Sequence, residues 1–253
     1  MKLKNKVAII TGAGSGIGQA TALLFAQKGA KVVVADIVDQ AGQETTDQIS
    51  ATGGEAIFVK TDVSKAADIE MMVQTAVDSF GGLDILFNNA GLTIPAMVTE
   101  TDEETWDRTI DVNLKGVMLG CKYAIPAMIK RGSGSIINTA SMLGLVASPK
   151  QAPYCAAKGG VVLLTKQIAI DYARNNIRVN CICPSEVNTP MHRRFIATSP
   201  DPEATKQRLL ARIPLQRMAE PAEIATTALF LACDDSSYIT GVALPVDGGL
   251  TAL

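Results

Sequence analysis

A single doubly wound α/β domain, built on a seven-stranded parallel sheet with helices on both faces, is the fold predicted by this 253-residue sequence. Short β-branched runs alternate along the chain with longer amphipathic stretches. Parallel strands need long crossovers, and those crossovers are right-handed, so the connecting helices cover both sheet faces. The composition agrees: 47% of residues are hydrophobic but only 4% aromatic, so Ala, Val, Ile and Leu must fill the gaps between the helices and a sheet buried on both faces. With no linker or internal repeat, residues 1–253 read as one domain.

The strands are expected at 7–11, 32–35, 57–60, 85–87, 136–139, 177–182 and 242–246, each a short apolar run rich in Val and Ile. Helices are expected near 17–28, 40–51, 66–79, 103–130, 152–174 and 221–232. Gly29, Gly53-Gly54, Gly81-Gly82 and Gly132 mark the ends of the first four. The stretch 184–220, rich in Pro, Met and Arg, breaks the rhythm between the sixth strand and the last helix. An insertion of that length reads as a substrate-binding loop or lid.

Charge and cysteine usage exclude several function classes. With 23 Lys plus Arg against 25 Asp plus Glu, the chain has no positive field to hold a nucleic-acid backbone. The basic N-terminus, Met1 to Lys6, resembles a signal peptide, but its apolar run breaks at Gly12, so neither export nor a membrane span is expected. Five scattered cysteines without a CxxC pair read as reduced cytoplasmic thiols, with no metal site. Cys181 and Cys183 are read as strand residues pointing to opposite faces, hence as core, and Cys155 as pointing away from its neighbour Tyr154.

Gly12, Gly14, Ser15, Gly16, Ile17 and Gly18 join the first strand to the first helix. Free backbone N–H groups and the helix dipole attract an anion there, and a Cβ would block the tight turn or the approach of a pyrophosphate. The spacing is G-x-x-x-G-x-G rather than the general dinucleotide fingerprint G-x-G-x-x-G. Asp36 follows the second strand, where a carboxylate can accept both ribose hydroxyls of an adenosine. It would repel a 2′-phosphate, and neither Ser15 nor Ile37 supplies a positive charge. NAD is therefore favoured over NADP.

Tyr154 and Lys158 stand four residues apart on one helical face, a spacing that suits a proton donor and its activator. Bringing a phenol from its reference pKa near 10 to about 7 needs about 4 kcal/mol of differential stabilisation, which an ammonium and a cationic nicotinamide together could supply. Ser141 lies just beyond the fifth strand, at the carboxyl edge where open α/β sheets bind ligands. Asn88 to Gly91 end the fourth strand at that edge, and Asn113 lies in the following helix with a side chain able to bond backbone or a water. Singly, each of these residues also suits a cap or turn.

Together, Thr11 to Gly18, Asp62-Val63, Asn88 to Gly91, Asn113, Ser141 and Tyr154-x-x-x-Lys158 resemble the short-chain dehydrogenase/reductase family over nearly the whole chain. That resemblance implies a Rossmann-like fold with Tyr154 as general acid/base. Lys158 would lower the tyrosine's pKa and bind the nicotinamide ribose, Ser141 would orient the substrate, and Asn113 would anchor a relay water. It implies that Asp62 and Val63 contact adenine, that Asn89, Ala90 and Gly91 line the cofactor, and that Pro184, Val187 and Thr189 pack on the nicotinamide. The tail, 238–241 with 246–249, implies a homotetramer. One departure stands out: Ser185 replaces the glycine that usually follows the proline of the nicotinamide loop, and serine lacks glycine's freedom at positive φ.

The expected function is NAD-dependent interconversion of a small or medium secondary alcohol and its ketone. Ser141, Met142, Leu143, Val146, Gln151, Tyr154, Met191 and Phe195 form the candidate pocket. An NADP-linked 3-oxoacyl-carrier-protein reductase is the alternative, disfavoured by Asp36 and by the lack of a basic surface for an acidic carrier. A non-catalytic NAD-binding sensor or scaffold comes from another class and would have no use for Ser141, Tyr154 and Lys158. A hydrolase would have to use His192, the sole histidine, without a G-x-S-x-G elbow; a surface histidine or a lid residue touching substrate fits it better. Arg193 and Arg194 either meet an anionic substrate or form a solvated lid face.

Overall fold

The computed structural model describes residues 1–252. Seven strands, β1 (Val7–Thr11), β2 (Lys31–Asp36), β3 (Glu55–Lys60), β4 (Ile85–Asn88), β5 (Gly134–Thr139), β6 (Ile177–Pro184) and β7 (Ala243–Val246), form one sheet in the order β3-β2-β1-β4-β5-β6-β7. Every pairing is parallel. The strand order reverses direction between β1 and β4, so the crossovers diverge there and leave a crevice at the carboxyl ends of the strands.

Side-chain alternation divides the core in two. Val7, Ile9, Val33, Leu86, Ile136 and Val179 face α3 (Ala66–Phe80), α5 (Gly116–Arg131) and α6 (Ala152–Tyr172). Ala8, Ile10, Val32, Val34, Phe87 and Ile182 face α1 (Gly16–Gln27), α2 (Asp39–Ala51) and α9 (Pro221–Ala232). Each fully buried Val, Ile or Phe contributes roughly 1.5–3 kcal/mol, and both faces are needed to cover the sheet. Gly132 ends α5 with φ 86°, a left-handed cap that a side chain would strain.

The structure departs from the sequence reading in three places. The helix expected over 103–130 is present but not uniform: α4 (Glu103–Ile110) runs into α5 through a π-helical turn at Asp111–Lys115. A π-turn has no hydrophobic period of its own, and such turns gather at functional positions. The segment 184–220 is not an irregular loop but holds α7 (Pro190–Ala197) and α8 (Pro202–Ala211), each opened by a side-chain cap, Thr189 and Asp201, followed by proline. Finally, Cys181 and Cys183 share a face. Residues two apart on a strand point the same way, both lie in the first core cluster, and their thiols interact, which holds Cys181 down in pKa and pushes Cys183 up. Both remain core residues, and no cluster of three metal-ligating side chains occurs among the described residues.

Candidate active site at the carboxyl edge of the sheet

The glycine loop is a cradle that leaves no room for side chains. Gly12 has φ +64°, and a Cβ added to it would stand 2.9 Å from Ala90 Cα. At Gly18 a Cβ would overlap the Gly12 carbonyl oxygen and lie 2.8 Å from Asn89 Nδ2. α1 begins at Gly16 with no acidic residue in its first turn and no side-chain cap from Ser15. Its first backbone N–H groups therefore lack intrahelical partners and point at the loop. This is the donor set that a pyrophosphate requires, so the loop fits a dinucleotide.

The other predicted cofactor residues converge on that loop. Asp36 Oδ2 accepts from Gly14 N at 2.8 Å, and Oδ1 accepts from Val38 N at 2.9 Å, so the carboxylate is fixed against the loop with lone pairs to spare. Ile37 is exposed beside it, and the nearby Lys60 ammonium is taken up by Asp39. Thr61 N donates to Asp36 O, which brings Asp62 and Val63 alongside. Part of Asp62's capacity is spent: Oδ1 accepts from the Ser64 amide and hydroxyl. Asn89 Nδ2 donates to Thr11 O, while the Asn89 and Ala90 amides donate to Thr11 Oγ1, tying β4 to β1 across the crevice.

From the opposite wall, the segment after β6 closes over the loop. A Cβ on Gly16 would stand 3.1 Å from Thr189 Cγ2. Thr189 Oγ1 accepts from His192 N, and its hydroxyl proton remains free to donate. Ser185 is not among the residues with positive φ, so serine costs no strain where the family carries glycine.

Tyr154 and Lys158 lie on α6 one turn apart. Lys158 is buried, donates from Nζ to Thr139 O at 2.7 Å, and stands 5.5 Å from the centre of the Tyr154 ring. Burial pushes its pKa down to about 8. Burial also pushes Tyr154 up to about 12, partly opposed by the Ser141 hydroxyl beside it and reinforced by the Glu186 charge. Among the protein's own groups desolvation is the largest influence on the phenol, and the sequence reading relies on a cationic nicotinamide as well as the lysine to counter it. Ser141 Oγ accepts from Leu143 N at 3.1 Å, which leaves its hydrogen available.

Asn113 is wholly buried in the π-turn. Its Nδ2 donates to Leu92 O and Thr109 O, and its Oδ1 accepts from Leu92 N. The side chain thus binds backbone and fixes the segment beside Gly91. A Cβ there would stand 2.8 Å from Asn113 Oδ1 and 3.7 Å from Lys158 Nζ.

These walls enclose a cleft of about 820 Å³ running from Ile17 past Ser141 and Tyr154 to α8, a volume suited to a small molecule. Met142, Leu143, Gln151, Met191 and Phe195 line it. Val146 does not, being 41% exposed beyond the rim. Arg193 turns away to Asn188, and Arg194 is exposed. His192 lines the cleft from α7, and the charged lining residues that the sequence reading did not single out include Glu186, Arg208 and Arg212. The arginines belong to a helix that its composition did not announce, although its Asp201-Pro202 start was there to be read.

Comparison with known proteins gives matches to a family model, to curated relatives and to a solved structure. A family model described as enoyl-(acyl carrier protein) reductase matches residues 12–251. The chain is 43% identical to a cyclohexanol dehydrogenase of Acinetobacter sp. (strain SE19), over 99% of this chain and 97% of that one. It is 42% identical to a 3-oxoacyl-[acyl-carrier-protein] reductase of Thermotoga maritima, over 99% of each. Among solved structures it superposes on levodione reductase with a TM-score of 0.95 and 35% identity, over 99% of each chain.

Proposed function

The chain belongs to the short-chain dehydrogenase/reductase family, and from that premise we propose that it interconverts a small or medium secondary alcohol and its ketone with NAD. The observation that carries this reading is the convergence of Ser141, Tyr154 and buried Lys158 at one wall of a largely apolar cleft that opens beside the glycine loop. An enzyme built on this fold whose relatives include cyclohexanol dehydrogenase supports a secondary alcohol as substrate.

Gly12, Ser15, Gly16, Ile17 and Gly18 would hold the pyrophosphate, and Asp36 the adenosine ribose, flanked by Ile37, Asp62 and Val63. Asn89, Ala90, Gly91, Pro184, Val187 and Thr189 would hold the nicotinamide half. The bound nicotinamide supplies the hydride acceptor or donor. Ser141 holds the substrate oxygen through its free hydroxyl proton, and Tyr154 exchanges the proton on that oxygen. Lys158, its ammonium 5.5 Å from the centre of the Tyr154 ring, stabilises the phenolate as it forms. Asn113 keeps the backbone around Leu92 in place beneath this group. The segment 184–220 acts as the lid. Asp36, together with the engagement of Lys60 by Asp39, supports NAD over NADP.

Leu163 and Ile170 on α6 and Met118 and Ile129 on α5 are exposed apolar side chains, which supports association into a homotetramer. Five free cysteines, four of them buried, fit a reducing cytoplasm. No helix among the described residues is long and apolar enough to cross a membrane.

The test is kcat/KM for a panel of secondary alcohols and 3-oxoacyl thioesters with NAD and NADP, followed at the absorbance of reduced nicotinamide. The reading expects NAD-linked alcohol oxidation. NADP-linked reduction of the thioesters alone would favour the carrier-protein reductase.

A further inference from the structure

One polar pair in the cleft has no part in this reading. Glu186 follows β6, its backbone fixed by the Ala219 amide, which donates to Glu186 O at 3.0 Å. Its Oε2 lies 3.2 Å from His192 Nδ1 on α7, and both side chains are 14% exposed. Among the described residues His192 is the only basic group within 4.0 Å of that carboxylate. His192 Nε2 is buried and has no partner. Both residues line the same cleft as Ser141 and Tyr154, and the Glu186 charge acts on the Tyr154 phenol.

The pair has a defined chemical character. Nδ1 and the carboxylate oxygen lie within 4.0 Å of each other; with the ring proton on Nδ1, the carboxylate is its acceptor and Nε2 is left as a lone-pair acceptor. Burial pushes His192 down and Glu186 up, the latter opposed by Arg212. What the pair itself offers the cleft is therefore an acceptor, the Glu186 carboxylate, while the guanidiniums of Arg208 and Arg212 line the same cleft. Such an acceptor is costly to leave unmatched, and a ligand that brings a donor is selected by it. A hydroxyl is a donor; a second carbonyl or a carboxylate is not.

We propose that Glu186, held by His192, accepts a hydrogen bond from a second substrate hydroxyl next to the reacting carbinol, so that the enzyme selects vicinal diols and their hydroxyketones over mono-alcohols. This rests on the alcohol reading above. Glu186 is here a specificity residue and His192 a positioning residue.

The test compares kcat/KM for cyclohexane-1,2-diol and for cyclohexanol in the wild type and four variants, with thermal unfolding of each. The wild type is expected to favour the diol, and Glu186→Leu to lower the diol/mono-alcohol ratio by roughly tenfold to hundredfold, the worth of a hydrogen bond to a charged group. Glu186→Gln, an isostere that carries the test should the leucine variant not fold, is expected to lower the ratio by a smaller factor. His192→Gln, which can still donate to the carboxylate, is expected to keep the ratio, and His192→Leu to lose it. A ratio unmoved by both Glu186 variants while both alcohols are oxidised overturns the anchor alone. Oxidation of neither alcohol by the wild type overturns the alcohol reading and this inference with it.

Discussion

The ammonium of Lys158 stands 5.5 Å from the centre of the Tyr154 ring. The i, i+4 spacing on α6 sets this distance, and the hydrogen bond from Lys158 to the end of β5 holds it. Burial drives both groups toward their neutral forms, the lysine to about 8 and the tyrosine to about 12. The protein by itself therefore prepares a proton donor, and it becomes a proton acceptor only as pH rises or as positive charge is added nearby.

The first consequence is directional. A raised phenol pKa means that the acid form prevails at neutral pH, so ketone reduction has its proton ready while alcohol oxidation waits on deprotonation. Profiles of kcat/KM against pH are expected to show oxidation rising from neutral into the alkaline range and reduction falling over the same range. Oxidation that is flat or falling would remove Tyr154 as the titrating base.

Lys158 carries a stability consequence of the same origin. Its pKa falls from 10.5 to about 8 on folding, so between those values the unfolded chain binds more protons and wild-type stability rises with pH. At neutral pH the buried charge opposes folding by about 3 kcal/mol, from the size of that shift. Lys158→Met is expected to be more stable than wild type by about 1–3 kcal/mol at neutral pH, to lose the rise at alkaline pH, and to lose turnover. Denaturant melts at several pH values check this.

Asp36 carries two tasks that one variant separates. Replacing it by Ala together with Ile37→Arg is expected to move kcat/KM toward NADP by about tenfold to hundredfold, the worth of one or two charge-assisted hydrogen bonds. The same change frees the amides of Gly14 and Val38 and lowers stability by about 1–2 kcal/mol. Cofactor kinetics and thermal unfolding measure the two effects independently.

Gly18→Ala tests the cradle. The added methyl meets a backbone carbonyl that cannot turn away. The expected outcome is loss of about 1–3 kcal/mol of stability and of measurable cofactor binding by fluorescence titration.

Much of this was legible because the signals are local. Val7 to Thr11 alternates into two buried faces and then breaks at Gly12, which places the first strand, the loop and the start of α1. Asp36, Ser141 and Tyr154-x-x-x-Lys158 sit where strand ends and helical spacing put them. What was illegible depends on contacts distant in sequence or on geometry without a period. The π-turn around Asn113 is a one-residue irregularity inside a continuous helical pattern. The Glu186–His192 pair forms only because α7 folds back over the end of β6. The rise in Tyr154's pKa comes from burial, which the spacing of two residues does not encode. The shared face of Cys181 and Cys183, by contrast, follows from strand periodicity alone and was open to a correct reading.

The most direct measurement is the rate at which Tyr154→Phe reduces NAD in the presence of a secondary alcohol that the wild type oxidises, with cofactor affinity followed in parallel by fluorescence. If the phenol exchanges the proton, turnover falls by about 100-fold or more, as loss of a general acid/base does, while cofactor affinity changes little. Turnover within about twofold of wild type, above the reach of any minor general-acid contribution, would contradict the account.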